Sequence, residues 1–290
     1  MPVRKTEPAR DAPRARGWWR RGASIGARYL LLVVVAVVVL FPVWTAVMVA
    51  TKPLTELGSL DLLVPRSVGG ASFGDAFADA RLGRYLVNSA VVSLGIMVLQ
   101  VLTSVLAAYV FAYVPFRGRS AVFALFLATL MIPTEVAMVV NLETVQTLDW
   151  TDTYQALIVP FAAFAFGTFL VRQAFLGIPT ELREAAAVDG YGHWGFLRRV
   201  AVPMARPSVS ALAVFSFLLA WNQYLWPLLV TNDPDLRTVQ IGLKSLAFEN
   251  PTGLNLVMAG TLLAALPILV VLIVFERQLV RGLTAGAVKG

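Results

Sequence analysis

Long apolar runs separated by short polar segments are the dominant pattern of this sequence. Six runs have about 20 residues or more, the length needed to cross the hydrocarbon core of a bilayer. They cover residues 29–50, 86–113, 121–140, 154–175, 208–230 and 256–275. The pattern predicts an all-α, polytopic membrane protein with six transmembrane helices.

The composition narrows the class further. Hydrophobic residues make up 58% of the chain and charged residues 14%, whereas about a quarter of the residues in soluble domains are charged. The chain has no cysteine, which excludes disulfides and thiolate metal sites. The single histidine, His193, has no partner residues at metal-ligand spacing, so we expect no metal site. The first apolar run exceeds a signal-peptide core and lacks a small-residue cleavage site, which favours an uncleaved span.

Basic residues are distributed unequally between the two predicted sides of the membrane. With the N-terminus inside, 18 of the 24 Lys and Arg residues fall in inner segments and 6 in outer segments. The positive-inside rule therefore predicts that both termini are cytoplasmic. We expect the basic segment 1–28 to be disordered or to lie on anionic headgroups.

The polar segment 184–203 lies between two apolar runs and must face water. Pro179 begins a short helix just before it, and Gly190 stands where a left-handed helix cap favours glycine. A second helical run covers residues 193–200, and we expect Pro203 and Pro207 to end it. This helix–glycine–helix unit forms a rigid surface for another protein to bind.

The spacing within this segment resembles the EAA loop of bacterial ABC importers. That signature is Glu-Ala-Ala, three residues, Gly, nine residues, then Ile-x-Leu-Pro, and this chain departs from it only with Val for Ile and Val for Leu. The alternative is an ordinary connecting helix hairpin. The resemblance implies contact with a cytoplasmic ATPase through Glu184, Ala185, Ala186, Asp189, Gly190 and Pro203.

The resemblance to this importer family covers about residues 84–290. Residues 221–227 resemble the carbohydrate-importer group, and residues 282–290 resemble the C-terminus of the smaller membrane subunit of maltose importers. The family implies a type I ABC importer permease fold, in which tail residues Thr284 and Lys289 contact the ATPases. The implied organisation is a basic cytoplasmic tail (1–28), a first span with an extracytoplasmic loop (29–83), a permease core (84–280) with a coupling loop (178–206), and a cytoplasmic tail (281–290).

The energy source is expected to lie on another chain. No GxxxxGK[ST] motif is present in the sequence, so the chain lacks the loop that holds ATP phosphates. The resemblance implies a non-enzymatic subunit of the bacterial inner membrane, without a cofactor of its own. Its implied partners are a different permease subunit, two ATPases that carry ATP and Mg²⁺, and an extracytoplasmic solute-binding protein, with no nucleic acid. A secondary transporter is the alternative from another class, but it would need inverted repeats and ion sites within the spans.

Polar groups within the predicted spans indicate a substrate path. Residues 133–136 and 221–227 resemble the second permease subunit of glycerol-3-phosphate importers, and a neutral sugar or oligosaccharide is the alternative substrate. Glu135 is an intramembrane carboxylate, which is costly and usually functional, and its other interpretation is a structural group. Neutral donors and acceptors follow at Asn222, Gln223 and Tyr224. We expect Trp221 and Trp226 to flank them as apolar walls, or else to anchor the chain at the membrane interface.

A turn-rich segment outside the membrane, residues 231–255, precedes the last span. In maltose-type importers the corresponding loop enters the cleft of the binding protein, and the alternative is a solvated loop without a special role. The resemblance assigns this contact to Phe248, Glu249, Asn250, Thr252 and Asn255.

The charge asymmetry predicts the labelling pattern of single cysteines in a chain that has none of its own. A cysteine at Thr252 is expected to react with a membrane-impermeant thiol reagent added to intact cells, whereas one at Tyr191 is expected to react only after permeabilisation. The reverse pattern would contradict the predicted orientation.

Overall fold

The computed structural model describes residues 17–53, 69–78, 81–249 and 252–284, and within these parts the regular structure is helical. The helices are α1 (Gly17–Thr51), α2 (Ala71–Ala78), α3 (Leu82–Tyr113), α4 (Arg119–Ala128), α5 (Thr134–Thr147), α6 (Tyr154–Ile158), α7 (Ala165–Leu176), α8 (Thr180–Val188), α9 (His193–Phe196), α10 (Val202–Met204), α11 (Arg206–Trp221), α12 (Leu225–Val230), α13 (Val239–Glu249) and α14 (Leu254–Thr284). Shorter 3₁₀ turns occur at Thr129–Met131, Val159–Phe161 and Pro234–Leu236.

Three helices are long and apolar enough to cross a membrane unaided: Gly26–Thr51 of α1, all of α3, and Leu254–Gln278 of α14. Helix α3 ends at Tyr113, as the sequence pattern predicts. Two boundaries differ from the prediction. Helix α1 already begins at Gly17, and α14 continues to Thr284, so parts of both segments interpreted as tails are helical.

Each of the remaining predicted spans is interrupted. Arg119–Met131 meets Thr134–Thr147 at 97°, and Tyr154–Phe161 meets Ala165–Leu176 at 47°. The fifth predicted span is broken between α11 and α12. Length and composition allow up to six spans in the described chain when the two bent pairs above and a third, His193–Met204 with Arg206–Trp221, are each counted as one span.

Proline explains these interruptions. A proline has no N–H to donate to the carbonyl four residues earlier, and its ring clashes with that carbonyl. Pro133 stands at the 97° bend, and Pro160 lies in the 3₁₀ turn that precedes α7. Pro227 would clash in the same way with the carbonyl of Gln223, which disfavours a continuous helix from α11 into α12.

Helix α3 is the central element of the bundle. It packs against α7 and α11, and it also contacts α6 and α13. One of its faces is polar and satisfies carbonyl oxygens freed where the fourth span is interrupted. Gln100 Nε2 donates to Phe161 O (2.9 Å) and Thr103 Oγ1 donates to Ala162 O (2.6 Å). Ser104 Oγ donates to Phe164 O (3.4 Å), a carbonyl that also accepts the N–H of Thr168. Because a bilayer interior has no water for such carbonyls, these bonds keep the interruption in place.

Candidate functional site

The first half of the coupling loop is a helix with a glycine cap. Helix α8 starts directly after Pro179 and carries Glu181 in its first turn. At its end Gly190 has a φ of 79°. The N–H of Gly190 donates to Ala187 O (3.0 Å) and that of Tyr191 to Ala186 O (2.9 Å), which is the pair of bonds in a Schellman motif. The predicted helix start and the predicted left-handed cap at Gly190 are confirmed.

The second half of the loop is longer than predicted. Helix α9 continues through a π-helical segment, Leu197–Ala201, into α10, which ends at Met204. Pro203 lies inside α10, so the expectation that it ends this run is wrong. In the π-helical turns just before it, each N–H donates to the carbonyl five residues earlier instead of four. This change of register lets the helix tolerate the N–H that Pro203 lacks. The chain then bends by 79° into α11.

We call the unit formed by α8 through α10 the coupling hairpin, and it has two distinct faces. Its inner face packs into the bundle through Ala186, Phe196, Leu197 and Ala201, each at most 5% exposed. These residues contact a core that contains Tyr109 of α3 and Phe175 of α7. Burial of this apolar surface fixes which side of the hairpin remains free to bind a partner.

The outer face of the coupling hairpin is open. Glu184, Ala185 and Asp189 are exposed, as are the apolar side chains of Val188 (88%) and Trp194 (67%). A concave surface of about 500 Å³ lies beside them, lined by Gly190, Tyr191, Gly192, Trp194, Gly195, Arg198 and Arg199. Sequence reasoning missed this concavity, although two arginines and two aromatic residues within ten positions signal a mixed binding surface.

One of the two arginines in this concavity, Arg199, contacts an aromatic ring. The guanidinium carbon of Arg199 lies 4.9 Å from the ring centroid of Tyr191, within the range of a cation–π interaction. The contact holds a positive charge next to the exposed Trp194. The surface therefore offers a cation and an aromatic plane, which suit an acidic and partly apolar partner surface.

The predicted substrate-path residues lie at two of the span interruptions. Glu135 is exposed in the first turn of α5, just after the 97° bend. Asn222 is exposed, Gln223 and Tyr224 are half-buried, and all three occupy the break between α11 and α12. The structure records no hydrogen bond between Glu135 and this break. Helices α5 and α12 nevertheless pack together, so the two interruptions belong to neighbouring elements.

One polar atom at this break has no partner. The side-chain oxygen of Gln223 is buried and accepts no hydrogen bond from the described residues. A buried acceptor without a donor costs about 1–3 kcal/mol. Asn222, by contrast, donates its amide to Leu218 O at 2.8 Å. Gln223 is therefore the member of the segment with unused hydrogen-bonding capacity.

The two tryptophans are not walls of a path, and they do not lie at an interface. Trp221 is 2% exposed and Trp226 is 1% exposed. The indole N–H of Trp221 donates to Ala264 O (3.2 Å) and that of Trp226 to Ala156 O (3.0 Å). Pro160 leaves the Ala156 carbonyl without its helical donor. The indole replaces that donor, so both interpretations from the sequence are corrected to a role in the core.

The segment before the last span presents some of the residues assigned to a binding-protein contact. Phe248 is 79% exposed, and Glu249 and Thr252 are also exposed. Asn255 is instead tied to α2, because its amide donates to Ser72 Oγ at 3.0 Å. Thr284 is the last residue of α14. Asn250 and Lys289 lie outside the described residues.

Two polar residues of α3, Asn88 and Ser89, bond the backbone of residues 235–239, just before and at the start of α13. The buried amide of Asn88 donates to Asp235 O (2.8 Å) and to Arg237 O (2.9 Å), and its oxygen accepts from the Tyr154 hydroxyl (2.8 Å). Ser89 Oγ accepts from the N–H of Val239 at 2.8 Å. The start of α13 is therefore fixed, and Phe248 is presented at its far end.

Residues 100–284 match the profile of a protein family described as the binding-protein-dependent transport system inner membrane component. The sn-glycerol-3-phosphate transport system permease protein UgpE of Pectobacterium atrosepticum is 36% identical over 91% of this chain and 97% of its own length. The chain belongs to this family. The predicted family and the all-α membrane class are confirmed.

The chain is also similar to a second permease and to a solved ABC transporter structure. The arabinooligosaccharides transport system permease protein AraQ of Halalkalibacterium halodurans is 34% identical over 88% of this chain and 93% of its own length. The crystal structure of a bacterial ABC transporter involved in the import of the acidic polysaccharide alginate contains a chain of the same fold. Its TM-score is 0.77 at 20% identity, and the match covers 92% of this chain and 99% of that chain. The protein is thus a multi-pass permease subunit with the type I ABC importer fold.

A matched pair of glycines in the coupling hairpin of this permease tests the Schellman cap. Neither Gly190 nor Gly192 has another residue within 4 Å of an added Cβ, but only Gly190 has a positive φ. Gly190→Ala is expected to cost about 1 kcal/mol, because a Cβ is strained in that conformation. Gly192→Ala is the control and is expected to cost less, because it weakens the N-cap of α9 without the strain of a positive φ. Thermal unfolding of the purified variants measures the difference, and equal melting temperatures for both would contradict the cap.

Proposed function

We propose that this permease forms half of the translocation path of an ATP-driven importer for sn-glycerol-3-phosphate or a related glycerophosphodiester. The 36% identity to UgpE over nearly the whole chain supports this substrate class most directly. The unpartnered oxygen of Gln223 and the exposed amide of Asn222 suit the hydroxyl groups of a glycerol unit. Cations that meet the phosphate would come from the second permease subunit or the binding protein.

A neutral sugar or oligosaccharide is the second candidate substrate. The 34% identity to an arabinooligosaccharide permease favours it, as do the neutral groups at the break between α11 and α12. The carboxylate of Glu135 also fits this alternative, because it accepts hydrogen bonds from hydroxyls but repels a phosphate. The two candidates differ in charge, so competition between charged and neutral solutes separates them.

The proposed power source is a pair of cytoplasmic ATPases that carry ATP and Mg²⁺. The exposed face of the coupling hairpin, with Glu184, Asp189 and Trp194, supports such a docking surface. A second, different permease subunit completes the path, and an extracytoplasmic solute-binding protein contacts the Phe248–Thr252 region. ATP-driven closure of the ATPases brings the two coupling hairpins together and alternates access to the path. Both termini face the cytoplasm in this arrangement, as the positive-inside rule favours.

A charge reversal tests the docking surface. Glu184→Lys is expected to reduce co-purification of the ATPase and ligand-stimulated ATP hydrolysis, because it reverses an exposed charge on the contact face. Asp75→Lys, a reversal of another exposed carboxylate on α2, is the matched control and is expected to retain both properties. A full complement of ATPase on the Glu184 variant would remove the hairpin from the docking surface.

An uptake assay tests the substrate class and the path together. In proteoliposomes with the complete transporter, labelled sn-glycerol-3-phosphate is expected to enter, and glycerophosphocholine to compete better than maltose. Gln223→Ala is expected to lower uptake by about two- to tenfold, the effect of one hydrogen bond, with basal ATP hydrolysis retained. Unchanged uptake would exclude Gln223 from the path, and uptake of maltose alone would favour the neutral-sugar alternative.

A further inference from the structure

The coupling hairpin is bonded to a helix that is distant from it in the sequence. The hydroxyl of Tyr109, near the end of α3, lies 3.0 Å from Nδ1 of His193 at the start of α9. Their rings meet edge to face, with centroids 5.9 Å apart. The hydroxyl donates to Nδ1 when the imidazole is neutral and protonated at Nε2. The contact therefore joins the second helix of the hairpin to α3 through a directional bond.

The first helix of the hairpin reaches the same end of α3. Nη2 of Arg183 donates to the carbonyl oxygen of Tyr113 at 3.4 Å, and its guanidinium carbon lies 5.5 Å from the Tyr113 ring centroid. The last carbonyls of a helix have no partner within the helix, and a cation is favoured there. Each half of the hairpin thus has one polar contact with the last two turns of α3.

These contacts matter because the covalent links of the hairpin are bent. The chain enters it from α7 through Gly177–Pro179 and leaves it through the 79° bend before α11. The hairpin is therefore not a continuous helix with either α7 or α11. The apolar contacts of Phe196 and Leu197 hold the hairpin on the bundle, but such contacts are non-directional. A hydrogen bond adds requirements on distance and angle that resist sliding.

The same helix leads from the hairpin to an interrupted span. About two turns before Tyr109, Thr103 donates to Ala162 O, and one turn earlier Gln100 donates to Phe161 O. A displacement of α3 at its hairpin end therefore reaches the interruption of the fourth span through side-chain hydrogen bonds. No other described helix has polar contacts with both the hairpin and that interruption.

We propose that Tyr109 and His193, assisted by Arg183, form a clamp that makes the coupling hairpin and α3 move as one body. This inference rests on the proposed role of the hairpin in binding the ATPase. Tyr109 and His193 are positioning residues: they do not hold the ATPase, but they determine how much of each ATPase movement reaches the spans. Loss of the clamp leaves docking intact and lets the hairpin slip over α3.

The test measures solute imported per ATP hydrolysed, with labelled sn-glycerol-3-phosphate or maltose, whichever the unaltered complex takes up. Tyr109→Phe retains the ring but removes the hydroxyl, and His193→Ala removes the acceptor. Each is expected to lower the ratio by about two- to tenfold, the effect of one hydrogen bond, while the ATPase still co-purifies in full. The double variant is expected to be no worse than either single variant, because both remove the same bond.

Two matched variants separate the clamp from a general structural effect. His193→Asn places an amide oxygen close to the position of Nδ1 and is expected to restore most of the ratio that His193→Ala loses. Tyr85→Phe removes a tyrosine hydroxyl near the start of α3, at the opposite end from the hairpin, and is expected to leave the ratio unchanged.

Each remaining outcome decides between the clamp and the docking surface. An unchanged ratio in Tyr109→Phe, or an equal loss in Tyr85→Phe, would overturn the clamp and leave the docking surface standing. Loss of the ATPase from Tyr109→Phe would assign this tyrosine to docking and also overturn the clamp. If the unaltered protein binds no ATPase and imports neither solute, both the clamp and the proposed function fail.

Discussion

The carbonyl oxygens left without helical donors where apolar spans are interrupted need hydrogen-bond donors from the protein itself. Water is not present in the bilayer interior, and each unsatisfied carbonyl there costs several kcal/mol. Gln100 and Thr103 of α3 supply donors at the interruption of the fourth span, and the indole of Trp226 supplies one to Ala156 O. This requirement places α3 in the centre of the bundle and orients its polar face.

The central position of α3 connects the two aqueous ends of the molecule. At one end Asn88 and Ser89 fix the segment that leads into α13, and at the other end Tyr109 contacts the coupling hairpin. The polar residues of this helix are therefore not isolated exceptions in an apolar run. Asn88, Ser89, Gln100 and Thr103 each bond a backbone or side-chain group of a neighbouring element, so α3 is tied to those elements by directional bonds.

The coupling hairpin shows how local chemistry and packing combine. The Schellman cap at Gly190 is a local device, because it depends on the conformational freedom of one glycine and on two backbone bonds. Tertiary packing determines which face of the hairpin is buried. Phe196 and Leu197 pack against α3 and α7, and this leaves Glu184 and Trp194 exposed. The two together present one defined surface for binding.

The sequence by itself determined the membrane class, the end of α3 at Tyr113, the helix start at Pro179 and the cap at Gly190. Each of these follows from composition, apolar run length or one residue's backbone preference, which are local properties. The prolines mark where spans are interrupted, but the tertiary structure decided which side chains satisfy the carbonyls there, and it decided the burial of Trp221 and Trp226. These outcomes depend on which distant group supplies or accepts a hydrogen bond. The Tyr109–His193 contact, across 84 positions of the chain, likewise exists only because packing brings α3 beside the hairpin.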